Sequence, residues 1–442
     1  MSGHDRLQAC PVPGFSPVVG GMRILYITPY LPSSVRIRPL GFIRELSQRH
    51  AITLVTLVYP QAERRFLEEV RPYCQAIYPL TLDRSAALAR CLLALPTRIP
   101  LSVAYTHSPE MRRTVRALVR RGGYDLVHLE FARAAPLVTE LAGQDMPKVY
   151  DAVDSMTLAS ARTFRASHSP LRKAVAALEW LKFRQFEAWA SRQFDRVLVS
   201  SPADREALAD LAPDAPISVL PNGVDTEYFV PRQVGGSAEP PTLAFLARLS
   251  YHANVSSILH FYRHTFPRIR AKFPQVRLLL IGRDPVPAIQ ALAADPYVKI
   301  TGYVPDVRPY LARATVSICP MRVGAGISNK VLESMAMGLP VVATSLATSA
   351  LAVEHDRDLL IADDPADFAD MVIALLSSPR LRERLGRRAR AYVETHHRWP
   401  AIAAQLEQLY RECVGQQAAE PGSRAVRILG TAPQKAVKGV IR

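Results

Sequence analysis

The 442-residue sequence predicts an α/β protein of two doubly wound, parallel-sheet domains that face each other across a cleft. Three observations predict it. Short apolar runs alternate with longer amphipathic segments along most of the chain, the mark of βα units. The alternation breaks once, near residues 220–241, and then resumes. Residues 314–344 read as strand, Gly-rich loop, helix and strand, the layout of an anion-holding βαβ unit.

Taken in order, residues 1–21 are rich in proline and glycine and are expected to be a disordered extension. Met22, just before the first apolar run, is the alternative first residue. Runs at 24–27, 52–57, 126–129, 149–153 and 197–199 are the expected strands of an N-terminal domain, 22–220. The turn Pro221-Asn222-Gly223-Val224-Asp225 opens a linker, 221–241, that closes on Gly235-Gly236-Ser237 and Pro240-Pro241. Runs at 243–246, 278–281, 298–300, 316–319, 341–343 and 359–361 are the expected strands of a second domain, 242–395. A final helix, 396–414, has an apolar spacing suited to docking on a neighbour, assigned here to the N-terminal domain. The basic tail 415–442 has little periodicity and is expected to be disordered.

Composition narrows the function classes. The formal net charge of +16 points to an acidic partner: a phosphorylated substrate, an anionic lipid surface or nucleic acid. No known nucleic-acid module accompanies the charge, so a nucleic-acid binder is the weakest of these. The five cysteines are scattered without a CxxC, which indicates neither a zinc site nor a disulfide framework and fits a reducing, cytoplasmic compartment. No uncharged apolar run is long enough to span a bilayer, and no secretion signal is seen. Residues 162–196 interleave eight Lys and Arg with Trp180, Phe183, Phe186 and Trp189. Those aromatics fall roughly on one helical face. The face is either core, the favoured reading, or a seat on anionic lipid at the inner face of the cell membrane.

The chemistry concentrates in the second domain. Gly324 and Gly326 let a backbone approach a ligand closely. The N–H groups of Gly326, Ile327 and Ser328, at the start of a helix, suit phosphate oxygens. Lys330 opens that helix, and Glu333 stands one turn later on the same face, where a carboxylate accepts sugar hydroxyls. An ordinary βαβ turn is the plainer reading of the loop alone.

Several blocks together resemble the GT-B glycosyltransferases of family GT4. They are PNGVD with Phe229 after it, Ile281-Gly282-Arg283, TGYVPDVRPYL, and KVLESMAMGLPVVAT. The resemblance spans about 23–413, is stronger in the second domain, and is nearest to the bacterial sugar transferases of exopolysaccharide synthesis. It implies retaining transfer of a sugar from a nucleotide-diphosphate sugar to a glycan or lipid-linked acceptor, with no cofactor and no metal. Arg248 and Lys330 are then expected to stabilise the donor diphosphate, and His128 to position the reacting sugar. Gly282, Tyr303, Val304, Gly324, Gly326, Ile327, Ser328 and Glu333 are expected to bind the donor. Arg36, Arg38, Asp151 and Asp154 are the acceptor or phosphate candidates. Two positions depart from the family pattern: Asn254 where most members have a lysine, and Ala325 where the first of two glutamates usually stands. They leave open a catalytically eroded partner protein of a polysaccharide assembly complex; a nucleotide-sugar epimerase is a further alternative.

Overall fold

A computed structural model of the chain describes residues 10–11, 20–59, 61–166, 169–231, 240–323 and 328–419. The N-terminal sheet contains β1 (Arg23–Thr28), β2 (Ala51–Val58), β3 (Ala76–Thr81), β4 (Leu126–Glu130), β5 (Lys148–Val153), β6 (Arg196–Val199) and β7 (Ile217–Val219). They lie parallel in the order β3-β2-β1-β4-β5-β6-β7. Inside the expected disordered extension, Cys10–Pro11 adds a short antiparallel pair to the edge, Cys10 opposite Ile77. The second sheet is β8 (Thr242–Leu246), β9 (Arg277–Ile281), β10 (Val298–Ile300), β11 (Val316–Cys319), β12 (Val341–Ala343) and β13 (Leu360–Ile361). It is parallel throughout, in the order β10-β9-β8-β11-β12-β13.

The apolar runs make these sheets because helices cover both faces, which leaves no wet side and so no need for alternation. Every residue of β2 is buried, and all of β1 beyond Arg23. One face of the first sheet packs under Phe183 and Phe186 of α4 (Pro170–Ala190). Both rings are 1 % exposed, and Trp189 packs beside them, so the aromatic stripe is core from Phe183 onward, while Trp180 is half-buried under the Arg184 guanidinium. The other face packs against α1 (Ile37–Leu46) and α6 (Trp399–Ala419), which brings Ile402, Leu406 and Tyr410 onto the N-terminal lobe. Helix α6 runs five residues past the expected end at 414. Residues 420–442, most of the expected tail, lie outside the described residues.

Two chain segments cross between the lobes and run side by side. Val224 N donates to His397 O at 2.7 Å, and His397 Nδ1 lies 2.8 Å from Asn222 O. The Trp399 ring fills the space between Gly41 of α1 and Gly223 of the linker. A Cβ at either glycine would sit 2.5 Å from that ring.

Three residues expected at the ligand site are structural. Arg38, on α1, is 4 % exposed and forms a two-pronged ion pair with Asp151 of β5, at 2.8 and 3.1 Å. Asp151 is wholly buried, so it offers nothing to an acceptor. His128, mid-strand in β4, points into the core rather than the cleft. It faces Tyr26 across the β1–β4 ladder and stacks on it at 4.3 Å, and its Nδ1 lies 2.7 Å from the Tyr410 hydroxyl. Burial, with the Arg38 charge nearby, pushes its imidazole down to about 3, so it stays neutral at working pH.

Asp151→Asn should destabilise the N-terminal lobe by about 3–5 kcal/mol, since it leaves the Arg38 charge buried and half-paired. All three tryptophans belong to this lobe or pack against it, so urea unfolding followed by their fluorescence reads the change. A loss under about 1 kcal/mol would show that the pair is not structural.

Candidate functional site

Parallel sheets gather their loops at the carboxyl ends of the strands, and ligands settle where strand order reverses. In the second lobe that reversal lies between β8 and β11. A cavity of about 650 Å³ opens there between the lobes. Its second-lobe wall includes Ala247 after β8, Gly282 after β9, Tyr303 after β10, Met321 after β11 and Ala347 after β12. The N-terminal wall includes Val35, Ile37 and Arg44, and Trp399 and Tyr228 also reach it.

Helix α5 (Asn329–Ala336) enters the cavity at its N-terminus. Its apolar residues Val331, Leu332 and Met335 are buried, which turns Lys330 and Glu333 to the opening. Ser328 lies beside them on the cavity wall. Gly324, Ala325, Gly326 and Ile327 lie outside the described residues. Lys330 Nζ is held by neutral groups: Asn254 Oδ1 at 3.2 Å, Ser328 Oγ at 3.4 Å and Met321 Sδ at 3.6 Å. Asn254 in turn donates to Arg248 O at 3.0 Å. The residue that stands where the family has a lysine therefore positions a different lysine. A cation held by neutral acceptors keeps its charge available to an anion.

Glu333 has its carboxyl pushed up to about 7 by burial, against the opposing pull of Lys330. It nonetheless keeps some surface in the cavity. An anion or water entering the cavity would alter its charge state.

Gly282 is required by its place. Its φ is +151°, and a Cβ there would lie 1.7 Å from Ala247 O. The strand end can therefore close against β8 only without a side chain. Arg283, the next residue, lines the cavity. Arg248 does not; it is exposed at the rim, with Nε 3.0 Å from Ser250 Oγ and 3.4 Å from Asp284. Tyr303 and Val304 form an apolar wall, and the Arg65 guanidinium approaches the Tyr303 ring from the other lobe at 5.8 Å.

On the N-terminal side Arg36 and Arg44 are already paired, while Arg65, among the described residues, meets only rings. Arg36 is bound by Glu63 at 2.6 and 3.2 Å and lies over the Tyr30 ring. Arg44 donates to Asp225 at 2.7 Å. Asp154 follows β5 at a bulge where Val153 adopts φ +66°, a costly conformation for a β-branched residue. Its carboxyl accepts from Ser200 Oγ at 3.0 Å, and burial and the nearby Asp204 push it up to about 6. Its charge is felt by Tyr251, a cavity residue of the opposite lobe.

Of the expected site residues, the structure thus gathers Lys330, Glu333, Gly282, Tyr303, Val304 and Ser328 around one cavity. It leaves Arg248 and Asp154 off the cavity wall, Asp154 bound to Ser200 of its own lobe, and puts Arg36, Arg38, Asp151 and His128 in structural roles. Tyr251, Arg44 and Trp399 were not anticipated; nothing in their local sequence marks them, since each reaches the cavity through tertiary packing.

Residues 240–378 match the profile described as "Glycosyl transferases group 1", and residues 40–228 that described as "Glycosyltransferase Family 4". A phosphatidyl-myo-inositol mannosyltransferase of Mycolicibacterium smegmatis is 27 % identical over 316 residues, 70 % of this chain and 76 % of its own. A GDP-mannose-dependent α-(1-6)-phosphatidylinositol monomannoside mannosyltransferase of Mycobacterium tuberculosis is 28 % identical over 236 residues, 48 % of this chain and 60 % of its own. Among solved structures, sucrose-phosphate synthase of Thermosynechococcus elongatus superposes with a TM-score of 0.65 at 18 % identity, covering 89 % of this chain and all of that one, a likeness of fold.

The raised Glu333 carboxyl sets a pH dependence. The folded state holds this proton more tightly than the unfolded chain, whose glutamate titrates near the ordinary 4.5. Its contribution to stability is therefore full below about 4.5 and lost as pH rises through about 7. Glu333→Gln should match wild type near pH 4 and exceed its stability by about 1–3 kcal/mol at pH 8, after allowance for solvent in the cavity. Urea titrations at the two pH values measure the difference; a gap that does not vary with pH would contradict the assignment.

Proposed function

The chain belongs to the family 4 glycosyltransferases, and from that premise we propose that it moves a mannosyl group, with retention of anomeric configuration, from a nucleotide-diphosphate sugar to a hydroxyl of a lipid-borne acceptor. The observation that carries the reading is the placement of Lys330 and Glu333, one turn apart on α5, at a single cavity on the carboxyl ends of the second sheet. The mannosyl choice and the lipid acceptor are suggested by the two similar mannosyltransferases.

In this reading the donor diphosphate lies at the N-terminus of α5. The free N–H groups there, Lys330 and Arg283 meet the charge that grows on the leaving diphosphate. We assign that charge to these groups without a metal or cofactor. Glu333, as carboxylate, accepts the two ribose hydroxyls, and Tyr303 and Val304 flank the base. The anomeric carbon then points toward the N-terminal lobe. The bond from that carbon to the diphosphate oxygen breaks as the acceptor oxygen bonds on the same face, and a donor phosphate oxygen takes the acceptor's proton. Asp154, just past the end of β5, orients the acceptor hydroxyl. His128 takes no step, since burial and stacking keep it from the reacting atoms. The acceptor would be met at the inner face of a cell membrane, in synthesis of a cell-surface glycolipid or polysaccharide. Among the described residues, no helix is long and apolar enough to cross a membrane, so the association would be peripheral.

A panel of UDP-, GDP-, ADP- and TDP-sugars scored by thermal shift tests the donor site, since a ligand that binds only the native state raises Tm. GDP-mannose is expected to give the largest rise. Lys330→Ala and Glu333→Ala are each expected to weaken its binding about 10–100-fold, the loss of one charge-assisted contact set. Binding unaltered in both variants, or a panel without any shift, would remove the reading.

A further inference from the structure

Helix α2 (Arg84–Ala94), capped by Asp83, and α3 (Leu101–Thr106) form a helical hairpin that follows β3. In α2 the usual arrangement of a surface helix is inverted. It buries Ala87 and Ala94 and turns Leu88, Leu92 and Leu93 outward, at 60, 68 and 75 % exposure. Leu95 continues the row past the end of the helix. Nine of the fourteen exposed large apolar side chains among the described residues fall in 84–99 and 164–181. A monomer in water does not keep a concentrated apolar patch of this kind without a use for it.

These two stretches form one surface. Lys182 of α4 donates its Nζ to Ala94 O at 2.6 Å, Leu95 O at 3.1 Å and Ile99 O at 3.2 Å. Glu179, one turn earlier, accepts from Leu101 N at 2.7 Å and Ser102 Oγ at 3.1 Å. The charge around the leucines has one sign. Residues 84–109 hold three arginines and no acid, and residues 155–178 hold Arg162, Arg165, Arg172 and Lys173 and no acid. Of the bordering acids, Asp83 caps α2 and Glu179 makes the contacts just named, while Glu110 stands exposed beside Asp83 and Arg84 at the start of α2.

We propose that this apolar, basic-rimmed ledge is a docking surface for an anionic lipid bilayer. The leucines enter the acyl boundary while Arg90, Arg98, Arg172 and Lys173 meet the headgroup phosphates. A second copy of the chain fits poorly, because a two-fold interface would press this positive face against itself. The ledge is also on the edge that matters for the reaction. Helix α2 begins at the carboxyl end of β3, and Tyr105 of α3 bonds Tyr59, just past the carboxyl end of β2, at 2.8 Å. Those carboxyl ends are where the N-terminal sheet meets the cleft. The proposal names where the membrane of the preceding reading would be met, and rests on that reading only for its purpose.

The test uses the full chain with vesicles of phosphatidylcholine alone and of phosphatidylcholine with phosphatidylglycerol, read by co-sedimentation. Wild type is expected to pellet with the anionic vesicles and to be released by high salt. Leu92→Gln with Leu93→Gln should weaken binding at least about tenfold, as should Arg98→Glu to a lesser degree, while the GDP-mannose thermal shift stays unchanged. The proposal is overturned if wild type stays in solution with anionic vesicles, or if the folded leucine variant pellets as wild type does. It is equally overturned if light scattering shows a dimer that the leucine variant splits. Lost sugar-nucleotide binding with vesicle binding intact would count against the donor site and leave the ledge standing.

Discussion

One guanidinium fixes how the two lobes meet. Arg38 has five N–H donors, and the structure gives it five acceptor contacts: both oxygens of Asp151, the carbonyls of Leu220 and Pro221, and Asn222 Oδ1. Those acceptors come from a central strand of the N-terminal sheet and from the start of the linker. Asn222 continues the chain of contacts, donating Nδ2 to Asn329 Oδ1 at 3.0 Å. Asn329 is the first residue of α5, so the helix that carries Lys330 and Glu333 is tied to the N-terminal sheet through two side chains. Apolar packing of equal volume would give comparable stability, yet it would not set direction. A fully engaged guanidinium does both.

The return crossing supplies the second constraint. Trp399 stacks into the gap left by Gly41 and Gly223, and its edge meets the Phe42 ring at 5.4 Å. Because the ring also reaches the cavity wall, the link that holds α6 to the first lobe forms part of the site. Any opening of the cleft must turn on two adjacent strands of chain, 220–225 and 396–399, which are hydrogen-bonded to each other. That geometry favours rotation of one rigid lobe against the other over bending within either.

Most strands, their parallel arrangement and the Lys330–Glu333 pair were legible in the sequence because each depends on local spacing; β3, interrupted by Pro79, and β7, only three residues long, were missed. Short, mostly apolar runs that alternate with amphipathic segments read as two-sided strands, and a three-residue offset on a helix fixes a shared face. Side chains at strand ends were not legible. Asp151 and Asp154 end the same strand and read alike, yet a bulge between Asp151 and Val153 separates them: one turns under Arg38 and the other accepts from Ser200. His128 carries a chemistry-bearing side chain at a strand position that faces the core, and the two-residue period of the strand decides its direction. Arg248 lies next to a true cavity residue, Ala247, but turns outward to Asp284. The role of Asn254 was invisible because it depends on a lysine 76 residues further along the chain.

The pairing of charges across the cleft also decides which lobe can hold an anion. On the N-terminal side, Arg36, Arg38 and Arg44 are each matched to a carboxylate, so a diphosphate binding any of them would have to break an ion pair to gain one; Arg65, held among the described residues only by rings, stands outside that restriction. On the other side, Lys330 is surrounded by an amide oxygen, a hydroxyl and a thioether, and the N-terminus of α5 adds its unpaired N–H groups. An anion there breaks no ion pair among the described residues and displaces only weak, neutral acceptors from Nζ. The raised carboxyl of Glu333 fits the same arrangement, since its protonated fraction beside the lysine repels incoming phosphates less than a full negative charge would. The net basic charge of the chain is thus spent unevenly: neutralised where the lobes are joined, left open on α5, and left open again on the ledge of α2 and α4.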